Sequence, residues 1–428
     1  MVAEIFGREI FNKMLGKTMK PEYSVNELLF GDPAEQPEHA PDRPPRRTGR
    51  LDQLEFQVTR LLERMNIAVI FGGDKTIDGA VINQTQNPRS WKSYESVATD
   101  IADALRRLGC KNVHLMSDDM RLGEQLRSKG IHMGWLNTGG VQGYDSMLHG
   151  AALLELAGIP YVGHNPLTAG ILDNKHTFKR QLNAFGIANA KFMTWHLSRG
   201  PFCADTNVQF KTCFAGYSGP FVVKPVCGRA SQNIVVVDKP SELMGAVDAV
   251  YQATENHILI EKYLPGREFT AAICGQIIAR ERKLARSTRP FVFSVTERVL
   301  SKDERIFTSM DISPITMDRL RLLGPENDSD TFKKIVEISR TVYDDFDIDT
   351  LIRLDLRMDE HGEINILEVN PKPDIKKPSG ETTSIVCSGL PTCGMDYDDL
   401  ILSLFADRID RLFCERRHIV TSFSTLLE

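Results

Sequence analysis

Four side chains in one short stretch carry the clearest chemical signal in the chain: Arg353, Asp355, Glu368 and Asn370, all within Thr350 to Lys377, TLIRLDLRMDEHGEINILEVNPKPDIKK. Ile352, Leu354, Leu356 and Met358 alternate with Arg353, Asp355 and Arg357, the period of a strand with one apolar and one charged face. Past the turn residues Asp359-Glu360-His361-Gly362, the spacing of Ile364, Ile366, Glu368 and Asn370 puts these four on one face, so the segment reads as a β-hairpin. With a loop of Glu360 to Glu363, antiparallel pairing sets Asp355 opposite Glu368. Two carboxylates at cross-strand distance repel unless a cation lies between them, and Asn370, one pleat on, adds a neutral oxygen. That is an all-oxygen donor set suited to Mg²⁺ or Mn²⁺, with positions left for water or phosphate. The same spacing fits a solvated hairpin face carrying ordinary charges, so the rest of the chain must decide.

At 428 residues, 42% of them hydrophobic, the chain is long enough for two or three domains. A formal charge of −5 supplies no global field for nucleic acid. The eight cysteines form no CxxC pair and no zinc-type cluster, which fits reduced thiols. No run of about 18 apolar residues and no signal-peptide core is present, so a cytoplasmic protein without a membrane or nucleic-acid partner is expected. Gly7 to Leu15 is mildly amphipathic; Asp32 to Arg50, rich in proline and charge, reads as a tether. Leu51, Leu54, Val58, Leu61, Leu62 and Met65 have helical spacing and predict a helix packed on the domain that follows.

From Asn66 strand and helix alternate. Strands are expected at Ile67 to Gly73, Val113 to Met116, Ile131 to Leu136 and Ile159 to Gly163, and helices at Tyr94 to Leu108, Arg121 to Lys129 and Ser146 to Ala157. This is the pattern of a doubly wound parallel sheet, whose ligands lie beyond the carboxyl ends of its strands. Gly72-Gly73 sits at such an end, but no GxGxxG or GxxxxGK[ST] follows, which leaves out a dinucleotide fingerprint and a P-loop. After Asn174 the pattern changes to mixed strands and helices. Lys224 closes the apolar strand Phe221-Val222-Val223, and an ammonium there needs an anion, which a nucleotide phosphate would supply, or a route to water. In EKYLPGREFTAAICG, Glu261 to Gly275, a strand runs into a Pro265-Gly266 hinge. Backbone groups at Lys262, Tyr263 and Leu264 can pair with an adenine edge, and Glu268 is placed to accept ribose hydroxyls.

Together these segments resemble the ATP-grasp superfamily, and within it the D-alanine:D-alanine ligase type. LLELAGIPYVGHNPLTAGILDNKHTFKRQL, GPFVVKP, EKYLPGREFTAAICG, IRLDLRMDEHGEINILEVNPKP and DYDDLILSLFADRI occur in the family's order, over about Ile67 to Leu412. The resemblance implies an α/β chain of three-domain ATP-grasp architecture. A doubly wound N-terminal sheet (66–172) follows an extension (1–65) and precedes two α+β subdomains (173–261 and 262–428) that clamp ATP. It implies that Lys175 and Lys224 bind ATP phosphates under a loop containing Ser231, and that Glu261 meets the adenine amino group. Lys262, Tyr263 and Leu264 would form the hinge wall and Glu268 would hold the ribose. Asp355, Glu368 and Asn370 would bind two Mg²⁺ ions, with Mn²⁺ a second candidate, and Arg353 would neutralise the acyl-phosphate and tetrahedral intermediate. The implied reaction phosphorylates a small-molecule carboxylate and then joins it to an amine, giving an amide, ADP and phosphate. A homodimer is compatible with this family.

The departures concern the other substrates. The phosphate loop CGRASQN has one glycine and carries Arg229 and Gln232; the acidic residue usual after the first strand's glycines is absent from GGDKTIDGAVINQTQNPRSWKSYES. NTGGVQGYDSM replaces the HG…EDG signature, and Asp374-Ile375-Lys376-Lys377-Pro378 replaces a glycine-containing segment, although Ser379 falls near a family serine. The expected activity is therefore an amino-acid, dipeptide or ring-closing ligase of specialised metabolism, with Arg229, Lys376 or Lys377 matching an extra carboxylate or polar group on a substrate. The alternatives are a genuine D-alanine:D-alanine ligase and a nucleotide-binding regulator without turnover.

Overall fold

The structure is a computed structural model that describes residues 50–72, 81, 94–143, 145–228, 232–301, 304–306, 319–379, 384–414 and 425–428. Gly7 to Leu15, the tether apart from Arg50, Gly73, Arg229 and Ser231 lie outside the described residues.

Helix α1 (Leu51–Arg64) turns Leu54, Val58, Leu61 and Leu62 inward. The first sheet then follows the predicted alternation: β1 (Asn66–Phe71), α2 (Glu95–Arg107), β2 (Asn112–Ser117), α3 (Leu122–Ser128), β3 (Met133–Asn137), α4 (His149–Ala157) and β4 (Tyr161–Val162). Its order is β2-β1-β3-β4, and every pairing is parallel. Asn165 caps α5 (Pro166–Asp173) and Asn174 caps α6 (Lys175–Ala184), each side-chain oxygen accepting an amide N–H that the first turn leaves unpaired.

A second sheet, β5-β8-β6-β7, is antiparallel: β5 (Phe192–Trp195), β6 (Phe221–Pro225), β7 (Val235–Val237) and β8 (Ile258–Lys262), with α7 (Val208–Cys213) and α8 (Leu243–Thr254) beside it. The third is β13-β12-β9-β14-β15, from β9 (Glu268–Cys274), β12 (Phe291–Arg298), β13 (Leu320–Leu322), β14 (Ile352–Met358) and β15 (Ile364–Asn370). The hairpin β10 (Ile277–Arg280) and β11 (Lys283–Arg286), the helix α9 (Ser329–Asp345) and the buried helix α10 (Tyr397–Cys414) complete it. The hinge glycine is obligatory in practice, since a Cβ on Gly266 would lie 2.6 Å from Met358 Cβ.

One apolar cluster runs from α1, β1 and α2 through β9, β12, β14 and α9 to α10; a second is confined to the β5-β8-β6-β7 sheet with α7 and α8. Helix α6, expected in the small subdomain, buries Phe178 and Leu182 in the first cluster. Helix α1 packs against α10 and β11, which come from the far end of the chain. Among the described residues no helix is long and apolar enough to cross a membrane.

His164, just after β4, is buried, with Nε2 3.4 Å from Leu351 O, and burial pushes its pKa down to about 4. Between that value and the ordinary value near 6.5 the unfolded chain binds more protons than the folded one, so stability is full above about pH 6.5 and falls as pH drops toward 4. Urea unfolding across this range should show a loss of about 3 kcal/mol that His164→Gln abolishes. Parallel profiles for the two proteins would refute the assignment.

Candidate active site

The β14–β15 hairpin forms with Asp355 opposite Glu368, but by a different route from the one the spacing implies. The loop is one residue longer, pairing Met358 with Ile364 and Leu356 with Ile366, and an extra residue at Leu367 then restores the register to Asp355↔Glu368 and Arg353↔Asn370. This bulge corrects the expected face. Ile364 and Ile366 turn into the apolar core, whereas Glu368 and Asn370 join Arg353 and Asp355 on the opposite side.

The same face continues across the sheet. Asp355 pairs with Thr270 and Arg357 with Glu268 on β9, and these pair with Thr296 and Arg298 on β12. Arg353 donates to both Asp355 oxygens at 2.7 and 2.9 Å. Arg298 bridges Asp355 Oδ2 at 3.2 Å and Glu268 Oε1 at 2.9 Å, and Arg357 reaches Glu268 Oε2 at 3.3 Å. Burial alone would raise the Asp355 pKa, but Arg298 and Arg353 outweigh it and hold the carboxyl below its ordinary range.

The second wall comes from α6 and the β5-β8-β6-β7 sheet. Lys175, at the first turn of α6, contacts Glu368 Oε2 at 3.2 Å and donates to Gly228 O at 3.0 Å, so it joins β15 to the segment that follows β6. Glu261 is fully buried between Lys224 at 2.5 Å and Lys179 at 3.3 Å; against a burial penalty, these ammonium groups pull its pKa down. The anion required by Lys224 is thus supplied within the protein by Glu261. At the hinge, Lys262 N–H donates to Lys191 O and Tyr263 N–H to Pro220 O, which leaves Leu264 N–H as the hinge amide without a backbone partner among the described residues. Glu268 accepts from two guanidinium groups, and its remaining lone pairs are what a ribose would share.

Lys376 sits 2.8 Å from Asp100 on α2, and Lys377 N–H donates to the same carboxylate at 3.1 Å. Lys377 and Ser379 are exposed. Lys179 and Arg298 are site residues that pattern reading missed. Lys179 carried a signal, lying four positions after Lys175 and so on the same helix face. Arg298 carried none, because a register shift between Phe293 and Thr296 breaks the alternation of β12.

The matched family model is described as D-ala D-ala ligase C-terminus and covers residues 181–406. The chain belongs to the D-alanine–D-alanine ligase family. It is an ATP-grasp ligase of the carbon–nitrogen bond-forming class, as the resemblance in its motifs implies. A D-alanine–D-alanine ligase of Phocaeicola vulgatus is 24% identical over 294 residues, 68% of this chain and 81% of that protein. Among solved structures, D-alanine–D-alanine ligase from Bacillus anthracis complexed with ATP matches 83% of this chain and all of its own, with TM-score 0.59 and 18% identity. VanG D-Ala:D-Ser ligase from Enterococcus faecalis matches 81% of this chain and 99% of its own, with TM-score 0.55 and 17% identity. At these identities the solved structures speak for the ATP-grasp fold.

Oxygen donors on Asp355, Glu368 and Asn370 suit Mg²⁺, the family's ion. Among the described residues, however, no cluster of three or more His, Cys, Asp or Glu can hold a metal, and six cations share four carboxylates across the site. A bare dication adds to that excess, whereas a triphosphate cancels it. The residues therefore fit Mg²⁺ that arrives with nucleotide. Calorimetry should find Mg²⁺ binding at least about tenfold weaker without nucleotide than with a non-hydrolysable ATP analogue, and Glu368→Gln should lower turnover by roughly two orders of magnitude or more with the fold intact. Tight Mg²⁺ binding to the nucleotide-free protein would refute this charge balance.

Proposed function

We propose that this chain joins two small amino acids in an ATP-dependent reaction through an acyl-phosphate, with D-alanine the first candidate for both partners. The observation that carries the reading is the standing of Asp355, Glu368, Asn370 and Arg353 on one sheet face, with Lys175 in contact with Glu368 and Lys224 paired with Glu261. The family model and the D-alanine–D-alanine ligase relatives support the choice of substrate.

In this mechanism Leu264 N–H and the Glu261 carboxylate read adenine, and Glu268 takes the ribose hydroxyls. Lys175 and Lys224 hold the phosphates, and Ser231 is the loop residue proposed to join them. Asp355, Glu368 and Asn370 would carry Mg²⁺, which neutralises charge on the transferring phosphoryl group; two ions is the expected number. The substrate carboxylate attacks the γ-phosphorus, ADP leaves, and the acceptor amine attacks the acyl carbon and expels phosphate. Arg353, half-buried beside Asp355, stabilises the negative charge on the acyl oxygens at that second step. Closure over the cleft excludes the water that would hydrolyse the activated acid.

A second reading is an amino-acid or dipeptide ligase with other partners, favoured by one observation. The segment after Pro373 is strapped to α2 through Lys376, Lys377 and Asp100, and it stands where the family has a glycine-containing wall. With Lys376 neutralised there, Arg229 and Lys377 are the candidates for an additional carboxylate on a substrate. Phosphate release across pairs of amino acids, with mass spectrometry of the product, decides between the two. Efficient formation of D-alanyl-D-alanine establishes the first, and turnover restricted to acidic or polar partners the second. Lys224→Ala should weaken ATP by roughly tenfold or more while sparing adenosine, whereas Glu268→Ala should weaken both, as calorimetry with the two ligands will show. Equal losses for Lys224→Ala would make that lysine structural.

A further inference from the structure

The guanidinium of Arg357 holds together three parts of the molecule that meet at the hinge. Arg357 lies on β14 directly opposite Glu268 of β9 and is 3% exposed. Its Nε donates to Gly266 O at 3.2 Å, and Nη1 to Glu268 Oε2 at 3.3 Å. Nη2 donates twice, to the Tyr263 hydroxyl at 3.1 Å and to Arg305 O at 2.9 Å. The central carbon of the guanidinium also stands 4.9 Å from the centroid of the Tyr263 ring.

Each of these partners is fixed from a second side. Gly266 N–H donates to Met358 O and Met358 N–H to Arg267 O, so the backbone beside Arg357 is laced to the hinge. The Tyr263 hydroxyl donates to the same Arg305 carbonyl at 2.9 Å. The Arg305 guanidinium in turn pairs with Asp238, the residue after β7, at 2.7 Å. Glu268 takes Arg298 on its other oxygen at 2.9 Å, so its two oxygens are held by two different strands, β12 and β14.

Four of the five N–H bonds of Arg357 are committed to protein acceptors. A guanidinium so engaged has little left to offer a phosphate, and its planar fork cannot be re-aimed without breaking several bonds at once. What it does for a ligand it does through the groups it holds. Without it Glu268 keeps Arg298, which is shared with Asp355 at 3.2 Å, and the carboxylate is free to turn toward that partner and away from the hinge.

We infer that Arg357 is a positioning residue for the nucleotide: by fixing the Glu268 carboxylate and the hinge in one geometry, it sets the choice of ribose over 2′-deoxyribose. The inference rests on the placing of the ribose at Glu268 in the ligase reading above. A carboxylate discriminates between the two sugars only if its lone pairs stay aimed at the 2′-hydroxyl, and here one immobile fork supplies that aim and anchors the hinge carbonyl beside it.

Calorimetry on the full chain with Mg²⁺ and either ATP or 2′-deoxy-ATP, without amino acids, reads this choice directly. Wild type should favour ATP by roughly tenfold, and Glu268→Ala should abolish the preference. Arg357→Met should weaken ATP by roughly tenfold or more and 2′-deoxy-ATP far less, which brings the two within about twofold. Arg357→Lys keeps a charge beside Glu268 but cannot span four acceptors, so it too should lose most of the preference; if Arg357→Met does not fold, the lysine variant carries the test. A merely structural arginine would lower both affinities alike and leave their ratio unchanged. A folded Arg357 variant with the wild-type ratio, alongside a Glu268→Ala protein that has lost it, overturns this inference and leaves the ligase reading standing. A wild-type protein without the preference overturns the ribose role of Glu268 together with the inference, and one that binds no ATP overturns the ligase reading as well.

Discussion

Everything at the reaction centre depends on a sheet face that buries charge on charge. Asp355 survives there as an anion only because Arg353 and Arg298 are bonded to it, and Arg298 and Arg357 in turn neutralise Glu268. Each member is too costly to bury alone and acceptable in company, so the face stands or falls as a network. The extra residue at Leu367 is what admits Glu368 and Asn370 to it. With strict alternation through β15, either these two would point into the apolar core or Ile364 and Ile366 would point into the charged face.

The second device is the placing of excess positive charge. Lys175, Lys179 and Lys224 are buried on the wall opposite the sheet face, yet Glu261 and Glu368 balance them only in part. A polyanion is then the piece that would balance this wall. Phosphate binding by such a site is a matter of replacing water with fixed dipoles and cations already in position.

Much of this was legible in the sequence because the relevant elements are regular. The alternation from Ile67 to Val162 gave the parallel sheet, and the two-residue period of Ile352 to Met358 gave β14. What escaped lies where one residue more changes a face: the bulge at Leu367 and the register shift in β12 that brings Arg298 beside Glu268. Hydrophobic pattern sets which strands exist, but parity after an irregularity is set by the partner strand.

The distribution of apolar side chains has a mechanical meaning. Helix α10 is buried along nearly all its length and ties α1, α2 and β4 to the β10–β11 hairpin, so the first and third sheets are built on one continuous core, while the β5-β8-β6-β7 sheet keeps a core of its own. Moving the first sheet against the third would tear that core; tilting the small sheet about Pro265-Gly266 breaks far less. The edge of the first sheet and the β14–β15 hairpin thus ride on a single rigid frame with fixed spacing. The small sheet is a lighter jaw against this frame, and its tilt about Pro265-Gly266 is the motion that the two separate cores leave open.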